Sequence, residues 1–286
     1  MNTYLEITRP NNAVMAAVAV LLMAIIDFNY RIPIILGFIT VLFATAGGNV
    51  INDFFDYKID KINKPERPIP SGRISLKNAR NYAYSLFVLS SLISIVISYL
   101  VANIAPFIIV VLCCLIMYFY ARNFKAMPLI GNMVVAILTA MCFILGGVIL
   151  AYDTKSFNIL TISYALGFFA FFMTLAREIT KDMEDVEGDK IENARTLPIV
   201  AGCKISSILA AILIIITALF SPILYIEHIF SIYYLIVMII PILLFLYCAY
   251  TILKSQTPKT CGKVSKLLKI GMLISFVAFI IGIIPI

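Results

Sequence analysis

NDFFDYKID, residues 52–60, ends an apolar run that begins near Pro33. Charged side chains are unfavourable near hydrocarbon, so a carboxylate cluster at the end of a membrane-length apolar segment indicates a functional site. A second acidic cluster, DMEDVEGD at residues 182–189, follows another apolar run that ends near Thr180. We predict that the two clusters face each other and hold divalent metal between them.

The composition of the whole chain is typical of a helical membrane protein. Its 286 residues are 62% hydrophobic and 13% charged, and the mean hydropathy is +1.03. A membrane span needs roughly 20 mainly apolar residues, whereas a transmembrane barrel would show alternating segments of about 10 residues, which are absent. Nine apolar segments are visible, at 13–30, 33–52, 77–102, 105–121, 128–151, 157–180, 204–223, 229–253 and 266–286. We therefore expect an all-α, polytopic membrane protein with nine transmembrane helices in one bundle.

The basic residues are distributed unequally between the two sets of connections. Of the 22 Lys and Arg residues, only Arg31 and Lys155 fall on the side opposite the acidic clusters. Positive charge is enriched in cytoplasmic loops, so we expect a cell-membrane protein with a cytoplasmic N-terminus, an outside C-terminus and a cytoplasm-facing site in the loops at about 53–76 and 181–203. This bias accounts for the net charge of +7 without nucleic acid as a partner.

The two acidic clusters contain oxygen ligands at helical spacing. Rows of carboxylates on one helix face suit Mg²⁺, which is commonly held by a few carboxylates together with substrate phosphates. A histidine-rich metal site is excluded because His228 is the only histidine. The candidate metal ligands are Asn52, Asp53, Asp56 and Asp60 in the first cluster and Asp182, Asp185 and Asp189 in the second.

Basic residues are interleaved with these acids, as a site that binds metal and phosphate together requires. The stretch KPERPIPSG, residues 64–72, contains three prolines, which restrict the backbone and would hold Arg67 in a stiff loop above the site. The candidate diphosphate-binding residues beside the clusters are Lys58, Lys61, Arg67, Arg177 and Lys181.

The two motifs resemble the signatures of one known family. NDFFDYKIDKINKPERPIPSGRIS, residues 52–75, looks like the first signature of the UbiA-type intramembrane prenyltransferases, and REITKDMEDVEGDK, residues 177–190, resembles the second. The stretch NARTLP at 193–198 is similar to a Gly-Ala-Arg-Thr-Leu-Pro stretch of the family, with Asn in place of Gly. Within the family, the sequences of these two motifs most resemble those of an archaeal branch that makes ether lipids.

The resemblance implies a reaction and its partners. Geranylgeranyl diphosphate would bind through Mg²⁺ between the clusters with its tail in the bundle, and the free hydroxyl of geranylgeranylglyceryl phosphate would displace the diphosphate. It further implies that residues 1–286 form a single intramembrane prenyltransferase domain in the lipid bilayer, with no obligate protein partner evident. Arg9 and Lys125 both lie near the cytoplasmic face, and either could bind the phosphate of the acceptor. We assign Arg9 to the acceptor phosphate and Lys125 to the diphosphate. The expected catalytic carboxylates are Asp56, Asp60, Asp182 and Asp185.

Two other functions stay open at this point. A prenyltransferase for an aromatic quinone precursor would share the same skeleton and differ in its acceptor. An ion-coupled transporter would also contain intramembrane carboxylates, but transporters place their sites near the bilayer midplane. The acids of this chain lie at the ends of apolar segments, which favours the enzyme.

Overall fold

The computed structural model describes residues 2–191 and 194–284, so Glu192 and Asn193 lie outside the described part of the chain. The described residues form fourteen α-helices and no strand, which confirms the predicted all-α class. In chain order they are α1 (Thr3–Ile7), α2 (Pro10–Ile26), α3 (Ile32–Phe55), α4 (Tyr57–Asn63), α5 (Leu76–Leu100), α6 (Ala105–Phe119), α7 (Ile130–Thr154), α8 (Asn158–Glu184), α9 (Val186–Ile191), α10 (Leu197–Ala201), α11 (Cys203–Phe220), α12 (Ile223–Ile226), α13 (Ile232–Lys254) and α14 (Pro258–Ile281), with a π-helical turn at Tyr120–Phe124 after α6.

Eight helical segments of the described chain are long and apolar enough to cross a membrane, and they match the second to ninth predicted segments. The first predicted segment, 13–30, corresponds to α2, which has 17 residues. At 1.5 Å per residue this helix is about 26 Å long, somewhat shorter than the ~30 Å hydrocarbon core. The helix α14 begins at Pro258, eight residues before the predicted start, because the Thr257 hydroxyl caps it and the lysines of its first turns, Lys259 and Lys263, are exposed.

The chain divides into two compact units. The first contains Met1–Lys125 and Met141–Tyr164, and the second contains Ala126–Ala140 and Ala165–Ile286. The expectation of a single functional domain over 1–286 stays a prediction.

Helix α3 is the centre of the first unit, where it packs against α2, α5 and α6. Close approach depends on small residues, as is usual between membrane helices. A Cβ atom at Gly47 would lie 2.9 Å from the Phe87 ring, and one at Gly147 would lie 2.2 Å from the Ser163 hydroxyl. In the second unit α13 packs against α11 and α14, and Gly271 admits the ring of Phe245 in the same way.

The end of α3 positions the first acidic cluster. The helix ends at Phe55, Asp56 lies at the junction, and α4 continues to Asn63. Backbone N–H groups of Asp56 and Asp60 donate to the carbonyls four residues earlier, at 2.9 and 2.8 Å. The helical path therefore continues through the junction, which keeps residues 52, 56 and 60 at i, i+4 spacing.

The proline-rich loop after α4 is compact. The Ile74 amide donates to the Pro68 carbonyl at 3.1 Å, and the side chains of Ile69 and Ile74 are buried. Gly72 has φ of 77°, a left-handed conformation that favours glycine. These contacts give the loop a defined shape above the end of α3.

Candidate active site

The first carboxylate group, which we define as Asn52, Asp53, Asp56 and Asp60, lies at the α3–α4 junction. Its three aspartates are almost fully buried, with exposed fractions of 3%, 9% and 4% in chain order. Buried carboxylates are strongly unfavourable unless they are paired or bound to metal. Each of the three is paired with a cation, and the three cations come from three different segments of the first unit.

Arg67 bridges two members of this group. One of its guanidinium nitrogens lies 2.6 Å from the Asp60 carboxylate and 3.4 Å from that of Asp53. Arg67 is contributed by the proline-rich loop, and its side chain is 22% exposed. One arginine therefore holds the carboxylates of α3 and α4 together and retains N–H groups for a further anion.

Two cations remote in sequence complete the pairing. Arg9, which precedes α2, donates to Asp53 and has φ of 49°, in the left-handed region. Lys125, which follows the π-helical turn, lies 2.5 Å from the Asp56 carboxylate. Both therefore neutralise site carboxylates, and their predicted role in binding substrate phosphates stays a prediction.

Asn52 contributes an acceptor oxygen that has no partner among the described residues. Its amide nitrogen donates to Asp56 at 3.0 Å, while its side-chain oxygen is buried and accepts no hydrogen bond. A buried acceptor without a partner is unfavourable, so this oxygen suits a ligand that supplies positive charge. Together with the carboxylates it forms the hard oxygen set that Mg²⁺ prefers.

The two lysines of α4 are placed differently from Arg67. Lys58 and Lys61 are both exposed. Among the described residues, the cations that form ion pairs with the first carboxylate group are Arg9, Arg67 and Lys125. Their predicted role in binding diphosphate stays a prediction.

The second carboxylate group, which we define as Asp182, Asp185 and Asp189, lies in the second unit at the end of α8 and in α9. Asp182 accepts a hydrogen bond of 2.8 Å from the Asn132 amide. Asp189 accepts one of 3.1 Å from the Thr196 hydroxyl, and Asp185 is exposed. The amides of Asp185 and Asp189 donate to the carbonyls four residues earlier, at 3.0 Å each, so the three aspartates follow one helical path.

The cations near this group are Arg177 and Lys181. Arg177 forms an ion pair of 2.5 Å with the adjacent Glu178, and its Nε atom is buried without an acceptor. Lys181 is exposed. The unpaired Nε gives Arg177 a donor that an anionic ligand would satisfy.

Asn132 is a site residue that the sequence analysis missed. It lies near the start of α7, is 7% exposed, and holds Asp182 in place. The available signal was the only amide side chain in the mainly apolar α7, because a polar side chain in such a helix normally has a partner.

The arrangement is suited to binding anions together with a metal. Among the described residues no cluster of three His, Cys, Asp or Glu side chains is already arranged to hold a metal ion. In the first group the carboxylates are neutralised by arginine and lysine, and the Asn52 oxygen remains available. Whether the two groups share one ligand stays a prediction.

Comparison with known proteins identifies the family to which the chain belongs. The model of the UbiA prenyltransferase family matches residues 13–277. The chain is 55% identical to the digeranylgeranylglyceryl phosphate synthase of Methanobrevibacter smithii over 282 residues, which cover 99% of this chain and 98% of the relative.

Two solved structures have a similar fold. One comes from work on digeranylgeranylglyceryl phosphate synthase in membranes; it has a TM-score of 0.83 and 39% identity, and the match covers 98% of this chain and 97% of that one. The other, a UbiA homologue from Archaeoglobus fulgidus bound to GPP and Mg²⁺, has a TM-score of 0.59 and 18% identity, with 96% and 99% coverage.

Proposed function

The chain belongs to the UbiA prenyltransferase family, and from this premise we propose that it transfers a geranylgeranyl group from geranylgeranyl diphosphate to the free hydroxyl of geranylgeranylglyceryl phosphate. The product contains the second ether bond of an archaeal membrane lipid. The observation that carries this proposal is the 55% identity to a digeranylgeranylglyceryl phosphate synthase over nearly the full length of both chains.

The first carboxylate group supports a diphosphate substrate held with Mg²⁺. Its oxygen donors are of the type that Mg²⁺ prefers, and the buried Asn52 oxygen has no protein partner. When bound, Mg²⁺ supplies positive charge that neutralises the diphosphate and makes it a better leaving group. The second carboxylate group would contribute Asp182, Asp185 and Asp189 to the same function.

The cations of the first group have a second role in this proposal. Arg67 and Lys125 pair with carboxylates of the first group, which places both cations where they would also bind diphosphate oxygens. Positive charge placed where negative charge grows in the transition state accelerates the reaction. Arg177 has an unpaired buried donor that fits the same task, and the exposed residues Lys58, Lys61 and Lys181 would add to the positive field.

The acceptor brings its own phosphate, for which Arg9 is the proposed partner. Arg9 lies beside Asp53, is contributed by the segment before α2, and is partly exposed. A membrane-embedded site also keeps water away from the allylic cation that forms as the diphosphate leaves. The hydroxyl of the lipid would then react in preference to water.

The acceptor assignment has a direct test in a comparison of substrates. Purified protein in lipid vesicles, given labelled geranylgeranyl diphosphate and Mg²⁺, should prenylate geranylgeranylglyceryl phosphate at least about a hundredfold faster than a hydroxybenzoate or naphthoate. A site that pairs a cation with a substrate phosphate discriminates strongly against molecules that lack it. Transfer to the aromatic acids without transfer to the lipid phosphate would show that the acceptor is a quinone precursor. Labelled ion uptake without any prenyl transfer would favour the transporter.

The orientation of the protein belongs to the same proposal. We place the N-terminus and both acidic connections in the cytoplasm because only two of 22 Lys and Arg residues lie on the other side. A cysteine introduced at Lys64, in a variant without the six native cysteines, should be labelled by a membrane-impermeant thiol reagent only after the cells are opened. A cysteine at Lys155 should be labelled in intact cells, and the reverse pattern would refute this orientation.

A further inference from the structure

The N-terminal segment is fastened to the first unit at several points. We call residues 3–9 the N-terminal strap. The Tyr4 ring meets the Tyr82 ring edge-on, with centroids 5.2 Å apart, and Ile7 is 1% exposed. The side-chain amide of Asn49, in α3, donates to the Thr8 carbonyl at 2.8 Å. The strap therefore has a fixed position beside the end of α3, although α1 has only five residues.

Glu6 of the strap contacts the proline-rich loop, residues 64–75 between α4 and α5. The contact is made with the side chain of Arg73. Two guanidinium nitrogens of Arg73 donate to the two Glu6 carboxylate oxygens, at 2.6 and 2.8 Å. Bidentate pairs of this kind fix orientation as well as distance. Arg73 also donates to the Glu66 carbonyl at 2.7 Å and to the Ser71 hydroxyl at 3.0 Å. One side chain thus ties the strap to both ends of the turn that contains Arg67.

The same turn presents Arg67 to the site. The Ser71 amide donates to the Arg67 carbonyl at 3.0 Å, and the Arg67 amide donates to the Lys64 carbonyl at 3.1 Å. Arg67 then reaches Asp60 and Asp53. A continuous series of hydrogen bonds therefore runs from Glu6 through Arg73 and Ser71 to the backbone of Arg67.

The Glu6–Arg73 contact favours the charged forms of both side chains. Hydrogen bonding to Arg73 lowers the pKa of Glu6, and the same contact raises the pKa of Arg73. Both groups are partly exposed, at 32% and 40% of their side-chain surface, and an isolated exposed ion pair contributes little to stability. We therefore expect loss of the Glu6–Arg73 ion pair to change the position of the proline-rich loop and to leave the free energy of unfolding of the whole protein nearly unchanged.

We propose that Glu6 is a positioning residue for the diphosphate, acting through Arg73 to hold the proline-rich loop so that Arg67 points into the first carboxylate group. This inference rests on the proposed function and adds a residue that does not itself touch the substrate. It makes the N-terminal strap part of the substrate-binding apparatus, since the strap carries both Glu6 and Arg9.

The substitution Glu6→Gln tests this proposal because it keeps the shape of the side chain and removes its charge. We expect KM for geranylgeranyl diphosphate to rise about fivefold, the upper range for an exposed ion pair, and kcat to fall by a smaller factor because Arg67 also stabilises charge that grows in the transition state. Arg73→Lys, which keeps the charge but loses the bidentate contact and the bonds to Glu66 and Ser71, should give a rise at least as large. Lys77→Gln, an exposed cation at the start of α5, is the matched control and should leave KM unchanged.

A double substitution separates positioning from a general loss of structure. If Glu6 acts through Arg67, Glu6→Gln should add nothing to KM in a protein that already carries Arg67→Gln. Additive effects, or an unchanged KM for Glu6→Gln, would overturn the proposal. A lower kcat at unchanged KM, as partial unfolding would give, would also count against it.

Hydrogen exchange of the ligand-free protein provides a measurement that does not depend on catalysis. The amides of Ser71, Gly72 and Ile74 are hydrogen-bonded within the loop, and they should exchange faster in Glu6→Gln than in wild type or Lys77→Gln. Unchanged exchange would refute the positioning role even if the enzyme is active. Faster exchange in a protein that transfers no prenyl group would instead mean that the proposed function fails while Glu6 still holds the loop.

Discussion

Replacing Asp56 by Asn should lower kcat for prenyl transfer by about 10²–10³-fold, the usual loss when one preorganised charge-stabilising group is removed. Asp56 lies at the α3–α4 junction, is 9% exposed, and contacts both Asn52 and Lys125. The amide side chain keeps the shape and removes the charge on which the proposed metal binding depends. Lys125 would then lack its carboxylate partner, but it is 44% exposed and can remain hydrated.

The measurement is single-turnover transfer from labelled geranylgeranyl diphosphate in vesicles that contain equal amounts of folded protein. Asp27→Asn is the matched control, because Asp27 follows α2 and belongs to neither carboxylate group. The control should retain wild-type kcat, and both variants should keep a wild-type elution profile and thermal unfolding midpoint. A near-wild-type kcat for Asp56→Asn would remove this residue from the site.

Removal of divalent metal should abolish transfer altogether, and excess Mg²⁺ should restore it. Diphosphate is a poor leaving group while its charge is uncompensated, and part of the positive charge of Arg67 and Lys125 is offset by their carboxylate partners. Ca²⁺ should restore less activity, because it takes six to eight ligands at longer distances than Mg²⁺. Equal transfer with and without EDTA would contradict the proposed role of the metal.

Thermal unfolding gives a second measurement of the same metal site. A ligand that binds only the folded protein raises its stability by mass action, so Mg²⁺ together with inorganic pyrophosphate should raise the unfolding midpoint of wild type. The increase should be absent in Asp56→Asn and present in Asp27→Asn. An equal increase in all three proteins would show that the ions bind elsewhere.

The long helices could be predicted because their signal is local. Apolar runs such as 33–52 and 229–253 are long enough to span a membrane, and the corresponding helices, α3 and α13, have 24 and 23 residues. Their ends shifted where polar residues continue the helix, as at the Thr257 cap of α14. The sequence analysis does not predict the short helices α1 and α10, because a helix of five residues has little intrinsic stability and forms through its tertiary contacts.

The partners of the site residues were predictable only in part. The spacing of Asn52, Asp56 and Asp60 placed them on one helix face, and the structure has that spacing. No sequence pattern indicates that Arg9 contacts Asp53 or that Asn132 contacts Asp182, since 44 and 50 residues separate the partners. The contact between Glu6 and Arg73, which 67 residues separate, could not be predicted from the sequence either.

The class of fold, the membrane-length helices, the two acidic clusters and the family follow from the order of residues alone, because hydrophobicity and motif spacing are properties of neighbouring residues. Tertiary structure decided which cation neutralises which carboxylate, which acceptor oxygen stays unpaired, and how the N-terminal strap holds the proline-rich loop. The physical reason is that burial makes an unpaired charge unfavourable, and only the packing of the helices determines which charges are buried and which partner lies within reach.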